Sequence, residues 1–185
     1  MHIDPVIFRQ YDIRGVVGKD LTPSVARAVG LAVGSEARER LGRAPRLAVG
    51  RDNRPSGPEL LAALMDGLLA TGATVLSVEL VPTPALYFAI HHLGADGGVQ
   101  VTGSHNPPEF NGLKMVLGGL PFAGEDIQGL RRRIEADRFA SGQGTASRHE
   151  VLDAYRAEIV RRVGKLDRPV AVVVDCGTGT GSVAA

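Results

Sequence analysis

Short apolar strand segments alternate with capped amphipathic helices along most of this chain, and that alternation restricts it to an α/β fold. Thr22 followed by Pro23 reads as a helix cap with a first-turn proline. Val25, Val29, Ala32 and Val33 then recur at helical spacing until Gly42 stops the run. Arg46 to Gly50 has the pattern of a short buried strand. Ser56 and Glu59 have capping-box spacing ahead of an apolar face of Leu61, Leu64, Met65 and Leu68, closed by Gly72. Thr74 to Leu80 alternates as a strand, and Thr83-Pro84 opens a helix to about Leu93. Gly98 to Thr102 and Leu113 to Leu117 are further strands, the second turned by Gly118-Gly119. Helices are predicted from about Glu125 to Phe139 and from about Glu150 to Val163, with a Ser/Gly linker at 141–147 and a last buried strand from Val170 to Asp175. The expected architecture is a three-layer α/β/α sandwich whose mixed sheet is mostly parallel, with one antiparallel strand.

Composition narrows the function classes. With 21 basic against 20 acidic side chains, net charge makes no case for a nucleic-acid or membrane partner. No apolar run reaches the roughly 18–20 residues of a membrane span, and the N-terminus lacks a signal-peptide pattern. Cys176 is the only cysteine, which excludes an internal disulfide and makes a reducing cytoplasm the expected setting. At the end of the valine-rich strand it is expected to be a buried structural thiol. The length suits one α/β domain plus the start of another, divided near residue 148.

The chemistry concentrates in Gly97 to Met115, GGVQVTGSHNPPEFNGLKM. The strand ends in Thr-Gly-Ser-His-Asn-Pro-Pro, which lifts Ser104 and His105 out of the sheet. Gly103 permits unusual backbone angles, while Pro107 and Pro108 fix φ and remove two amide donors. Lys114 follows ten residues after Ser104. A rigid exposed hydroxyl beside a histidine, with a lysine nearby, suits a serine that carries a phosphoryl group. Two further ionic blocks, Phe8 to Gly15 and Gly50 to Arg54, lie where a parallel sheet discharges its loops, and their arginines suit an anionic substrate. Arg51, Asp52 and Arg54 read as braces of the loop rather than substrate contacts. Arg131, Arg132 and Arg133 read as a solvated helix face, and His91 and His92 as exposed or capping residues.

The segments FRQYDIRG, VGRDNRPSG, VPTPALYF, VTGSHNPPEFNGLKM and VVVDCGTGTG resemble, in order and spacing, those of the α-D-phosphohexomutases. The resemblance covers essentially the whole chain and is to the N-terminal part of the bacterial phosphomannomutase/phosphoglucomutase branch. The Tyr-Asp-Ile-Arg-Gly block favours that branch over phosphoglucosamine mutases, which usually begin with Gly-Thr-Asp-Gly. It implies that Ser104 is a phosphoserine that exchanges its phosphoryl group with a hexose 1- or 6-phosphate through a bisphosphorylated sugar. Lys114 and Arg14 would neutralise the transferring group and Tyr11 would line the substrate side. His105 would act beside the phosphoserine, by charge, by proton transfer or only as a hydrogen-bonding loop residue. The serine phosphate would be one ligand of Mg²⁺, and a hexose 1,6-bisphosphate the intermediate.

By the same resemblance, residues 1–148 are the phosphoserine domain and residues 149–185 a connecting helix and the truncated start of a second domain. The family's Asp-Gly-Asp-Gly-Asp metal loop, its sugar-selecting Glu-x-x-x-Ser-Gly-His segment and its phosphate-anchoring domain come later and are not in this sequence. The parent enzyme is therefore expected to be an intramolecular phosphotransferase, and this chain alone to be inactive or a non-catalytic phosphosugar-binding module. A serine hydrolase is set aside because no Gly-x-Ser-x-Gly elbow occurs and adjacent side chains on an extended loop point apart. Asp175 to Gly181 has the look of a methyltransferase glycine motif but is expected to be a strand-to-helix turn.

Overall fold

The computed structural model describes residues 3–165 and 167–185. Seven strands form one sheet: β1 (Ile13–Val16), β2 (Arg46–Arg51), β3 (Thr74–Leu80), β4 (Gly97–Val101), β5 (Phe110–Leu117), β6 (Leu120–Pro121) and β7 (Thr145–Arg148). Their order is β1-β5-β4-β2-β3-β7, with β6 paired to β5. β2 runs parallel to β3 and β4, and β3 parallel to β7, whereas β5 is antiparallel to both β1 and β4. One strand runs against the rest, as the glycine hairpin implied. Gly118 and Gly119 both have positive φ, at 59° and 78°, the geometry of a tight hairpin turn.

Helices α1 (Pro23–Leu41), α2 (Gly57–Ala70) and α4 (Glu125–Glu135) cover one face, while α3 (Thr83–His92) and α5 (Leu152–Val163) belong to the other. The core follows strand alternation. Leu47, Val49, Val99, Val101 and Leu113 point into the larger cluster with α1 and α2, and Ala48 into the smaller one with α3. Thr22 Oγ1 accepts from the Val25 amide and Gly42 ends α1 at φ 65°, so both ends of α1 are set by the residues the sequence marks.

Several local expectations are corrected. Ser56 does not cap α2: it lies in the helical region, and its hydroxyl accepts from Asn111 Nδ2 instead. The predicted linker at 141–147 contains β7, because the open edge of β3 offers amides and carbonyls that Thr145 to Arg148 satisfy. α4 ends at Glu135 rather than near Phe139, with Asp137 at φ 49° turning the chain away.

The segment Val170 to Asp175 is not a strand. No neighbour in the described structure pairs with it, and Val172, Val173 and Val174 are 70%, 96% and 68% exposed. Cys176 is accordingly half-buried rather than buried. Arg133 also departs from a solvated face, since its guanidinium bridges Glu36 and Glu39 and ties α4 to α1.

Candidate active site

Three strands bring the site together in register. Thr102, just past the end of β4, donates its amide to Gly112 of β5, and Gly112 is paired with Arg14 of β1. At the usual strand spacing this sets Arg14 about 10 Å from Thr102, across a single glycine. Lys114 lies two residues along β5 on the same face as Gly112 and opposite Gln100. The turn after β4 thus empties beside two cations.

The turn itself is pinned from beneath. Asp52 Oδ2 accepts from Thr102 Oγ1 at 2.8 Å and from the Gly103 amide at 3.0 Å, and Asp52 Oδ1 accepts from the Arg54 amide. Arg54 then donates through its two terminal nitrogens to the carbonyls of Ser104, Asn106, Pro107 and Phe110. Its Nε lies 3.4 Å from Asp52 Oδ2. A guanidinium can fill this role because its donors form a rigid planar fork. The sequence expectation that Asp52 and Arg54 brace the loop matches this geometry. Arg51 contributes only a bond to the carbonyl of Asp52.

Gly103 is needed for space rather than for conformation. A Cβ there would approach Arg54 Nε to 2.2 Å, and the positive φ of the turn belongs to Ser104, at 54°. A non-glycine residue in that region is uncommon and costs backbone energy. Ser104 keeps the conformation because its amide donates to Thr102 Oγ1, whose own hydroxyl is held by Asp52. The side chain is left exposed, with Oγ 3.3 Å from His105 Nδ1. This corrects the expectation that the two side chains point apart, which assumed an extended loop. The left-handed turn at Ser104 brings them together.

Arg14 and Lys114 meet at a residue the sequence reading did not assign. Asp12 Oδ2 accepts from Arg14 Nη2 at 2.5 Å and stands 3.8 Å from Lys114 Nζ. Asp12 and Arg14 are each 8% exposed, so one carboxylate faces two cations in a largely dry setting. Arg14 Nε is buried with no partner, a donor with unused capacity. The signal for Asp12 was its place two residues before Arg14 in the ionic block Phe8 to Gly15. Tyr11, next to it, is 72% exposed and therefore free of the core.

A cleft of about 540 Å³ opens over the turn, walled by Asp52, Arg54, Thr83, Ser104 and the segment Gly177 to Thr180. That segment is not the strand-to-helix turn expected from the sequence: it follows an irregular stretch and leads into one 3₁₀ turn, Thr180–Val183. His91 and His92 are exposed, far along α3 from its Thr83 end. Among the described residues no three His, Cys, Asp or Glu side chains converge in a metal cluster. Ser104 supplies one oxygen, which does not by itself make a Mg²⁺ site. No described helix is long and apolar enough to cross a membrane.

Residues 5–141 match the family described as phosphoglucomutase/phosphomannomutase, alpha/beta/alpha domain I. The chain is 48% identical over 179 residues to the phosphomannomutase/phosphoglucomutase of Pseudomonas aeruginosa, covering 97% of this chain and 38% of that protein. It is 47% identical over 177 residues to the phosphoglucomutase of Neisseria gonorrhoeae, covering 95% and 38%. A crystal structure of a phosphoglucomutase/phosphomannomutase family protein from Burkholderia thailandensis superposes with a TM-score of 0.85 at 47% identity, over 91% of this chain and 38% of that one. The chain thus spans 38% of the length of these relatives. Its match to the domain I family over residues 5–141, on a sheet that presents the serine turn beside Arg14 and Lys114, makes it a member of the phosphoglucomutase/phosphomannomutase family.

Proposed function

We propose that Ser104 is the phosphoryl carrier of a hexose-phosphate mutase, interconverting hexose 1-phosphate and hexose 6-phosphate of the mannose or glucose type. The observation that carries this reading is the exposed Ser104 hydroxyl, held at φ 54° on a turn braced by Asp52 and Arg54. An enzyme that moves a phosphoryl group needs positioning and charge more than covalent assistance, and the turn is built for positioning.

In the forward half-reaction the bond from Ser104 Oγ to phosphorus breaks as a bond from a sugar hydroxyl oxygen to the same phosphorus forms. The proton of that hydroxyl is passed to the departing Ser104 Oγ, and His105, whose Nδ1 lies 3.3 Å from that oxygen, is placed to hand it over. The bisphosphorylated sugar turns over and its other phosphoryl group returns to Ser104 Oγ. Arg14 and Lys114 offset the negative charge on the equatorial oxygens. Tyr11, exposed beside Asp12, lines the sugar side. Mg²⁺ belongs to this reading only through the serine phosphate, and no step is routed through it. The acidic loop that would complete its ligands is not in this sequence.

Residues 149–185 read as the beginning of a second domain, in keeping with α5, which has no buried residue. Metal-binding and sugar-selecting segments lie outside the 38% of relatives that this chain spans, so the chain alone is expected to bind phosphosugar without turning it over. A cytoplasmic setting accompanies the reading, supported by the single cysteine.

The test is intact-mass analysis after incubation with glucose 1,6-bisphosphate. One added phosphate, lost in Ser104→Ala, is expected. An unmodified wild-type chain would refute the carrier role. Stoichiometric labelling of Ser104 by a fluorophosphonate would instead favour a hydrolase, for which the Ser104–His105 contact is the one supporting feature.

A further inference from the structure

Asp52, Asn53 and Arg54 form one turn at the end of β2, and each side chain does something different. Asp52 and Arg54 hold the Ser104 turn from below. Asn53, exposed between them, reaches the other way. Its amide donates to Thr180 Oγ1 at 3.1 Å, its Nδ2 donates to the Thr178 carbonyl at 2.7 Å, and its Oδ1 accepts from the Thr180 hydroxyl at 3.1 Å. These bonds span more than 120 residues of sequence and close the segment Gly177 to Thr180 over the cleft that contains Ser104.

The segment is held in a conformation it does not favour. Thr178 has φ 60°, and a β-branched residue there is a genuine outlier. The carbonyl that Asn53 Nδ2 grips belongs to that same residue. Gly177 before it, at φ 53°, turns the chain so that the Thr178 and Thr180 backbone faces the cleft. Asp175 Oδ1 accepts from the Gly177 amide and steadies the entry to the turn.

We propose that Asn53 is a positioning residue that clasps the Gly177–Thr180 turn, and that this turn is the wall of the cleft against which the sugar of a hexose phosphate rests. The ligand in this statement rests on the mutase reading above; the clasp does not. On the mutase reading the phosphate end belongs to Ser104, which lines the same cleft as the turn. The turn therefore affects recognition of a sugar phosphate and leaves recognition of a bare phosphate unchanged.

The experiment uses the 185-residue chain and two readouts. Backbone amide hydrogen exchange reports the clasp without ligand. Titration calorimetry with glucose 1-phosphate and with inorganic phosphate reports the wall. Asn53→Ala is expected to speed exchange at Thr178 to Gly181 roughly tenfold, and Thr180→Val to speed it at the Asn53 amide. Each is expected to weaken glucose 1-phosphate binding roughly tenfold, with inorganic phosphate unchanged. Thr178→Gly in the Asn53→Ala background is expected to restore part of the affinity, because glycine holds φ near 60° without help.

Unchanged exchange in both variants overturns the clasp. Faster exchange with unaltered glucose 1-phosphate affinity overturns the wall. Equal losses for both ligands, without rescue by Thr178→Gly, show a general loss of structure and also overturn it. If the wild-type chain binds inorganic phosphate but not glucose 1-phosphate, the mutase reading and the wall both fall, while exchange still decides the clasp.

Discussion

Arg14 on β1 and Asp12, just before that strand, form a buried ion pair, with the arginine Nη2 2.5 Å from the carboxylate and its Nε without a partner among the described residues. The pair holds a compensated cation on β1, the strand beside β5. Removing one member leaves an uncompensated charge. Asp12→Asn is expected to lower stability by about 3 kcal/mol in urea denaturation, the usual cost of breaking a buried pair. Arg14→Met added to Asp12→Asn should recover part of that loss, so the double-mutant cycle shows coupling well above the scatter of independent sites.

Arg54 is the single side chain that gathers the carbonyls of the serine loop. Arg54→Ala is expected to cost about 2–4 kcal/mol, since it strips charged hydrogen bonds from four carbonyls and removes the cation facing the Asp52 carboxylate. Arg54→Lys should recover little of it, because an ammonium cannot reproduce the planar fork. Phosphoryl incorporation from glucose 1,6-bisphosphate should fall at least about tenfold in both, through misplacement of Ser104.

Much of this arrangement is legible in the chain itself. Thr-Pro caps, glycine stops and apolar periodicity locate α1, α3 and β2 to β5, and the Ser-His-Asn-Pro loop locates the reacting group. What is not legible depends on contacts distant in sequence. β7 forms at 145–148 because β3 has an open edge, which no local pattern announces. Val170 to Asp175 has every local mark of a buried strand, but without a neighbour in the described structure it stays irregular. Ser104's left-handed φ and its contact with His105 follow from Thr102 and Asp52, fifty residues apart.

The strain at Ser104 gives a stability signature. Ser104→Gly is expected to be more stable than Ser104→Ala by about 1 kcal/mol, since alanine bears the left-handed penalty and glycine does not. Thermal unfolding of the two variants measures this directly. Both lack the phosphoryl acceptor, so the difference isolates the backbone energy held at the site.

Acid sensitivity should localise partly to Asp96, just before β4. The Arg43 guanidinium, at 2.6 Å, holds its carboxylate below its ordinary value, against the opposing effect of burial and with added help from the Arg46 amide. A depressed folded pKa means the contribution is complete above the unfolded value, near 3.8, and is lost as pH falls through the lower folded value. Asp96→Asn is expected to be less stable than wild type at pH 7 by about 1 kcal/mol or less. The gap should close below pH 4, as chemical denaturation across pH would show.

The uncovered run Val170-Ala171-Val172-Val173-Val174 has a consequence for how the chain behaves at high concentration. It is five residues of uncharged, proline-free, strongly β-prone sequence with an unpaired backbone, the profile of a segment that templates intermolecular cross-β stacking. Left without a covering strand, this run is the place from which fibrils of the chain would nucleate. Arg168 and Pro169 on one side and Asp175 on the other are the gatekeepers that flank it.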